Sequence, residues 1–221
     1  TEVILHLIAR AKSTEIERMI PEALARCQGA YTLVILAGEK LIGIRDPRGF
    51  RPLCLGKRGE AHVLASETCA LDIVGAEFIR EIEAGEMVVI DGGGVRSFRA
   101  LQPKPAKACV FELIYFSRPD SEVFGESVDH VRRRLGRRLA EEHPATADIV
   151  ISVPDSSNSA ALGFSEASGI PFELGLIRNH YVGRTFIAPQ QITRDFGVNL
   201  KFNPVRRILD VLHEATPARI V

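Results

Sequence analysis

The hydrophobic period of this chain changes twice, which restricts its fold more than any single residue does. Apolar residues first recur at three and four, as Val3, Ile4, Leu7, Ile8 and Ala11, the pattern of an amphipathic helix. Thr14 with Glu17 makes a capping-box pattern for a second helix carrying Ile16, Met19 and Ile20, and Pro21 either kinks it or starts another. The period then becomes that of strands. Residues 31–37 and 40–45 flank Gly38-Glu39, a two-residue hairpin loop with glycine first. The turn-rich Asp46-Pro47-Arg48-Gly49 follows, then a short strand at 62–65. A second hairpin joins 87–90 to 95–98 through Asp91-Gly92-Gly93-Gly94; no helix pattern follows it, so it is not a phosphate loop. Helices followed by antiparallel strands predict an α+β layered domain.

Residues 101–108 carry two prolines and two lysines, a linker composition, and place a domain boundary near residue 105, between 1–105 and 106–221. Beyond it the pattern alternates. Residues 110–116 read as a strand, and Val128, Val131, Leu135 and Leu139 as a helical stripe. A β-branched run at 149–153, a small-residue helix at 159–168 and a strand at 171–177 follow. That order predicts an α/β domain with a parallel sheet.

Composition excludes several classes. With 46% apolar and 25% charged residues the chain is of globular type, not disordered. Lys+Arg 28 balances Asp+Glu 28, so neither nucleic acid nor an anionic membrane is expected as a bulk partner. No apolar run approaches the ~18 residues of a membrane span, and no signal-peptide pattern opens the chain. Cys27, Cys54, Cys69 and Cys109 form no CxxC pair, which predicts reduced thiols, three of them buried, in a cytoplasmic protein. Thr1-Glu2 already reads as mid-helix, so the chain is expected to be a piece of a longer one.

The most informative segment is Val153-Pro154-Asp155-Ser156-Ser157-Asn158-Ser159, leaving a buried strand and entering a helix. Ligands of parallel sheets bind outside the carboxyl ends of strands, where a helix N-terminus offers free N–H groups to phosphate. Ser156, Ser157 and Ser159 add hydroxyls, and Asp155 or a serine suits a divalent cation; the alternative is a Ser/Asn helix cap with no ligand. Next, Arg178-Asn179-His180-Tyr181-Val182-Gly183-Arg184 sets two arginines beside a flexible glycine, suiting a polyphosphate, or forms a solvated loop. Arg132, Arg133, Arg134, Arg137 and Arg138 precede Glu141 and Glu142 and read as a solvated helix face with local ion pairs.

Ala65-Ser66-Glu67-Thr68-Cys69-Ala70-Leu71-Asp72, Tyr115-Phe116-Ser117-Arg118-Pro119-Asp120-Ser121, Val153-Pro154-Asp155-Ser156 and Arg178-Asn179-His180-Tyr181-Val182-Gly183-Arg184-Thr185-Phe186 occur in one order and spacing. Together they closely resemble the glutamine phosphoribosylpyrophosphate amidotransferases of purine synthesis. The resemblance implies an N-terminal-nucleophile glutaminase with antiparallel sheets and helices over 1–105, then a type I phosphoribosyltransferase domain over 106–221. It implies that ammonia from glutamine displaces pyrophosphate from phosphoribosylpyrophosphate, giving phosphoribosylamine, with Mg²⁺ present. Asp155, Ser156, Ser157 and Asn158 would then bind pyrophosphate, with Ser156 at the Mg²⁺ site. Arg178, Tyr181 and Arg184 would contact substrate at the start of a closing lid, where His180 replaces the family's usual arginine. Cys109 matches the first ligand of the [4Fe–4S] cluster found in one branch of the family.

Glutamine, phosphoribosylpyrophosphate and inhibitory purine nucleotides are the implied ligands, and a homotetramer or homodimer the implied assembly. The family's nucleophilic N-terminal cysteine and its acidic phosphoribosylpyrophosphate motif are missing. The resemblance implies that about 25 residues, a strand and its loop, are skipped near Arg206. The chain as written is therefore expected to be inactive by itself. A non-catalytic phosphoribosylpyrophosphate-binding regulator and an inactive remnant are the alternatives.

Overall fold

The apolar stripes at the start of the chain form α1 (Glu2–Ala9) and α2 (Ile16–Leu24), and α2 runs on through Pro21. This is a computed structural model; it describes residues 2–183, 189–210 and 221, in two compact units, Thr1–Val128 and Asp129–Val221. The capping box does not form. Glu15 is the N-cap residue, without a side-chain bond, because Glu17 turns to the ammonium of Lys40 at 2.6 Å. A charge-assisted bond is roughly twice as strong as a neutral one. The turn before α2 is held by Glu22, which accepts from the Lys12 and Ser13 amides at 2.8 and 3.3 Å.

The strands of the first unit are β1 (Thr32–Ala37), β2 (Lys40–Arg45), β3 (Cys54–Arg58), β4 (Ala61–Ala65), β5 (Glu77–Glu81), β6 (Glu86–Asp91) and β7 (Gly94–Arg99). They make two antiparallel sheets, ordered β1-β2-β6-β7 and β4-β3-β5. Both expected hairpins form: Ala37 pairs with Lys40 across Gly38-Glu39, and Asp91 with Gly94 across Gly92-Gly93. Gly38 has φ +60°, which a two-residue loop of this kind demands.

Alternation gives the larger sheet two faces. Ile42, Ile44, Met87 and Val89 pack with Ile8, Ile20 and Leu24 beneath the helices. Val88, with half-buried Ile90 and Val95, packs against Leu53, Leu55 and Ile82 of the second layer. Each such fully buried aliphatic side chain contributes roughly 1.5–3 kcal/mol. A Cβ at Gly43 would lie 2.8 Å from Leu64, so the layers meet closely there. β3 and β5 escape a pattern search because Lys57, Arg58, Glu77, Arg80 and Glu81 interrupt them.

One buried carboxylate organises the connection between these strands. Asp46 accepts from the amides of Arg48 and Phe50 at 2.8 and 3.1 Å, folding 46–50 into a tight turn. Its own carbonyl accepts from Gly49 and Gly85, and its amide donates to Tyr31. The outer carbonyls of the turn then take the stretch of linker composition as a strap. Lys104 donates to Pro47, Lys107 to Arg48 and Cys109 to Phe50, at 2.8–3.0 Å. These bonds hold 104–109 to the first unit.

Residues 110–116 are not a strand. Glu112–Phe116 is a π-helical turn, because Glu112 is drawn into the interior, 2.8 Å from Arg51 and 2.7 Å from the Ser117 hydroxyl. An extended chain would alternate its apolar residues inward; here Phe111, Tyr115 and Phe116 stand exposed. The small hairpin β8 (Glu122–Val123) and β9 (Glu126–Ser127) ends the unit.

The second unit contains α4 (Val128–Glu142), α5 (Asn158–Ser168), β10 (Leu176–Arg178), α6 (Gln191–Lys201), β11 (Phe202–Pro204) and α7 (Arg206–Asp210). The expected parallel sheet is reduced, among the described residues, to a narrow strip. Val150 pairs in parallel with Phe172 on one side, and Val221 bonds to Ile149 and Ile151 on the other. β10 pairs antiparallel, with β11, instead of extending that strip. The buried side of α4 is also rotated from the predicted stripe. Val128, Val131, Arg132, Gly136 and Ala140 are buried, while Leu135 and Leu139 are about half exposed, at 47% and 50%. Glycine explains the rotation. A Cβ at Gly136 would fall 1.9 Å from the Ala160 carbonyl oxygen, and one at Gly163 would fall 2.1 Å from that of Arg133. The two helices cross backbone to backbone, a contact only glycine permits.

Replacing either residue, as in Gly136→Ala or Gly163→Ala, should cost about 3 kcal/mol, the upper end of the range for overpacking, because backbone and not a pliable side chain must move. Chemical denaturation followed by circular dichroism checks this; a loss under about 1 kcal/mol, the range of a simple surface change, would refute the close crossing.

Candidate functional site

The strand-to-helix junction of the second unit forms where the sequence places it. Residues 154–157 make a turn that leads into α5, with Ser157 at the N-cap position. Ser157 does not cap through its side chain; its hydroxyl donates back to the Val153 carbonyl at 2.6 Å and tightens the turn. Buried Ser152 donates to the Asn158 side-chain oxygen at 2.7 Å, tying the end of the strip to the first turn of the helix. Thus Ser157 and Asn158 shape the loop, while Asp155 and Ser156 are exposed on it.

Arg178, at the end of β10, brings the second predicted cluster to this loop. Its Nη1 donates to Asp155 Oδ2 at 2.6 Å, while its Nε is shielded from solvent and meets no hydrogen-bond partner among the described residues. Tyr181 lies in an Asn179 turn, its amide donating to Asn179 Oδ1 at 3.1 Å, and its side chain is fully exposed. The structure therefore joins Arg178 to the loop, while the Tyr181 side chain makes no hydrogen bond to it among the described residues. Arg184, with Thr185 and Phe186, lies outside the described residues.

Sequence reasoning missed the residue that anchors α5. Asp129 accepts from the Ser159 hydroxyl at 2.6 Å and from Arg133 at 2.8 Å. The Ser159 bond, followed by Arg133, holds its carboxyl below its ordinary value of 3.8. Ser159 is thereby spent on structure, not on a ligand. The only sequence signal was its place one turn into a helix facing an acidic residue. The arginines of α4 behave as a solvated face. Arg133 and Arg137 pair with Glu166, and Arg138 with Glu141 and Glu142, at 2.7–3.1 Å. Arg132 is the exception, being buried.

In the first unit a cleft of about 710 Å³ opens beside the edge strand β1. Thr32, Val34 and Leu53 form part of its wall, with Ser66 and Glu67 from the first motif and Phe116 from the second. Glu67 ties the two motifs together, accepting from the Arg118 amide at 2.8 Å and the Ser121 hydroxyl at 2.9 Å. The thiols remain separate. Two, not three, are buried: Cys54, bonded to the Ala65 carbonyl, and Cys69 beside Glu67; Cys27 and Cys109 are partly exposed. Burial pushes the Cys54 thiol up to about 11. Among the described residues no three His, Cys, Asp or Glu side chains converge as a metal site.

The first unit thus layers two helices over one antiparallel sheet, with a second antiparallel sheet behind it. A family model described as a glutamine amidotransferase domain matches residues 1–72. Over its wider length the chain is similar to amidophosphoribosyltransferases. It is 53% identical over 212 residues to amidophosphoribosyltransferase 1, chloroplastic, of Arabidopsis thaliana, which covers 95% of this chain and 37% of the relative. It is 48% identical over 210 residues to the Bacillus subtilis amidophosphoribosyltransferase, covering 95% of this chain and 44% of that one. The solved B. subtilis glutamine phosphoribosylpyrophosphate amidotransferase, complexed with ADP and GMP, superposes with a TM-score of 0.85 at 48% identity, covering 95% of this chain and 46% of that one. The resemblance carried by the four motifs therefore holds across nearly the whole chain, which spans less than half the length of these relatives.

The Asp129 clamp predicts a pH dependence. A carboxyl held below its ordinary value adds stability above that value and loses it as the pH falls through the folded one. Ser159→Ala should cost roughly 1 kcal/mol at neutral pH, discounted for partial exposure, and should flatten the loss of stability as the pH falls below the ordinary carboxyl value of 3.8. Urea titrations across that range test it; an unaltered acid limb would exclude the clamp.

Proposed function

We propose that this chain acts within an amidophosphoribosyltransferase, in which glutamine-derived ammonia displaces pyrophosphate from phosphoribosylpyrophosphate to give phosphoribosylamine and glutamate. The observation that carries the reading is the meeting of Arg178 with the 154–157 loop at the start of α5, where two separate motifs converge. In this reading residues 1–105 belong to the glutaminase and 106–221 to the opening part of the phosphoribosyltransferase, with its parallel sheet begun by the strip at 149–151. The loop amides and the Ser156 hydroxyl face the pyrophosphate, and Arg178 neutralises its charge. Tyr181 and Arg184 belong to the segment that closes over the substrate and keeps water from the ammonia.

The donor set accommodates Mg²⁺ only in company with the substrate. Ser156 offers one neutral oxygen and Asp155 is engaged by Arg178, and Mg²⁺ commonly completes its shell with water and substrate phosphates. When bound there it would supply charge neutralisation on the leaving pyrophosphate. Cys109 would be one ligand of a [4Fe–4S] cluster in the intact enzyme, with the other three supplied from outside these residues. A cluster needs four thiolates, and among the described residues no metal-binding group forms around Cys109, while Cys54 and Cys69 bond elsewhere.

Glutamine and phosphoribosylpyrophosphate are the proposed substrates and purine nucleotides the proposed inhibitors, in keeping with the ADP and GMP of the solved relative. A homodimer or homotetramer is the proposed assembly. The cytoplasm is the proposed location; no helix among the described residues is long and apolar enough to cross a membrane, and several relatives are named chloroplastic.

Arg178→Met in the intact protein should weaken phosphoribosylpyrophosphate binding by about tenfold or more while sparing glutamine hydrolysis. Calorimetry with phosphoribosylpyrophosphate, beside a glutaminase assay, measures both. Unchanged affinity would remove the loop from the substrate site.

A further inference from the structure

We propose that Asp155 is a masking residue: in the empty protein it occupies the Arg178 guanidinium, and a pyrophosphate group must displace it to bind. The inference rests on the reading of this loop as the pyrophosphate site and adds to it a built-in competitor. Three observations support it. Asp155 and Arg178 meet at 2.6 Å, a charge-assisted contact through one nitrogen between residues 23 apart in the chain. Their platforms are fixed independently: Arg178 is paired with Phe202 in β10–β11, and the loop is braced by the Ser157 and Asn158 bonds. The contact is also incomplete. Among the described residues the shielded Nε of Arg178 has no hydrogen-bond partner, so Asp155 engages the guanidinium through Nη1 and leaves Nε unsatisfied.

A carboxylate has two oxygens and one negative charge; a pyrophosphate has several oxygens and more charge. It can therefore outcompete the single carboxylate charge for the guanidinium and, once Arg178 is drawn away from Asp155, offer Nε an acceptor as well. Once displaced, Asp155 is an anion next to an anion, which opposes binding. The carboxylate is half exposed and is free to swing into solvent. The mask costs the ligand affinity at one step: breaking an existing pair before forming a new one. It also favours ligands that arrive with a cation, because a metal carried on the phosphates gives the freed carboxylate something to face.

Asp155→Asn keeps the shape and removes the charge. Without added metal, inorganic pyrophosphate should then bind the intact protein about two- to fivefold more tightly, the scale of a partly exposed ion pair. The gain should vanish in the Arg178→Met background, where there is nothing to mask. With Mg²⁺ present the gain should shrink or reverse. Isothermal titration of wild type, both single variants and the double variant reads this directly, with Asp155→Ser as a second charge-removing variant and thermal melts to confirm folding. If Asp155→Asn and Asp155→Ser leave metal-free affinity unchanged or lower it while Arg178→Met still weakens binding, the mask is refuted and the site stands. If pyrophosphate affinity ignores Arg178 in every background, the site reading fails and the mask with it.

Discussion

The first unit depends on the Asp46 carboxylate. A buried charge is tolerable only when its lone pairs are taken, and here the protein supplies backbone amides for the purpose. The consequence reaches well beyond the turn. By closing 46–50 on itself, Asp46 points the carbonyls of Pro47, Arg48 and Phe50 outward, where they receive the strap at 104–109. The adjoining Arg45 extends the same arrangement inward, with its guanidinium donating to the Ile82 and Gly49 carbonyls and lying near Glu81. Turn and strap are thus consequences of one local set of bonds, beside the apolar layers on either side.

The apolar periods made the helical layer and both hairpins legible, because Ile42, Ile44, Met87 and Val89 alternate cleanly and their loops contain the glycines such loops need. What escaped shares a physical cause: a polar or small residue deciding the local structure. Glu112 sits in an otherwise apolar run of strand length, and its pull toward Arg51 turns that run into a π-helix. Gly136 sits among arginines, and its missing side chain rotates the buried stripe of α4 away from Leu135 and Leu139. Neither effect is visible to a count of hydrophobic spacing, since both depend on a partner distant in the chain.

The candidate site divides along the same line. The junction itself was readable, because a β-branched run at 149–153 gives way to a Ser- and Asn-rich turn and then a small-residue helix, a pattern that serves a helix cap as well as a ligand. The roles within it were not. Four hydroxyl or amide side chains looked equivalent as ligands, yet Ser157, Asn158 and Ser159 face inward to Val153, Ser152 and Asp129, which leaves Ser156 and Asp155 outward. Similar residue types thus separate into those that build a loop and those it presents.

The crossing of α4 and α5 carries a consequence for how this sequence can vary. At most packed positions an enlarged side chain can be offset by shrinking its neighbour. Here the atoms that would collide with a new Cβ are the carbonyls of Ala160 and Arg133, which every residue type possesses. No substitution at either neighbour can make room. Positions 136 and 163 are therefore closed to compensation, and drift in this unit is confined to changes that leave both of them as they are.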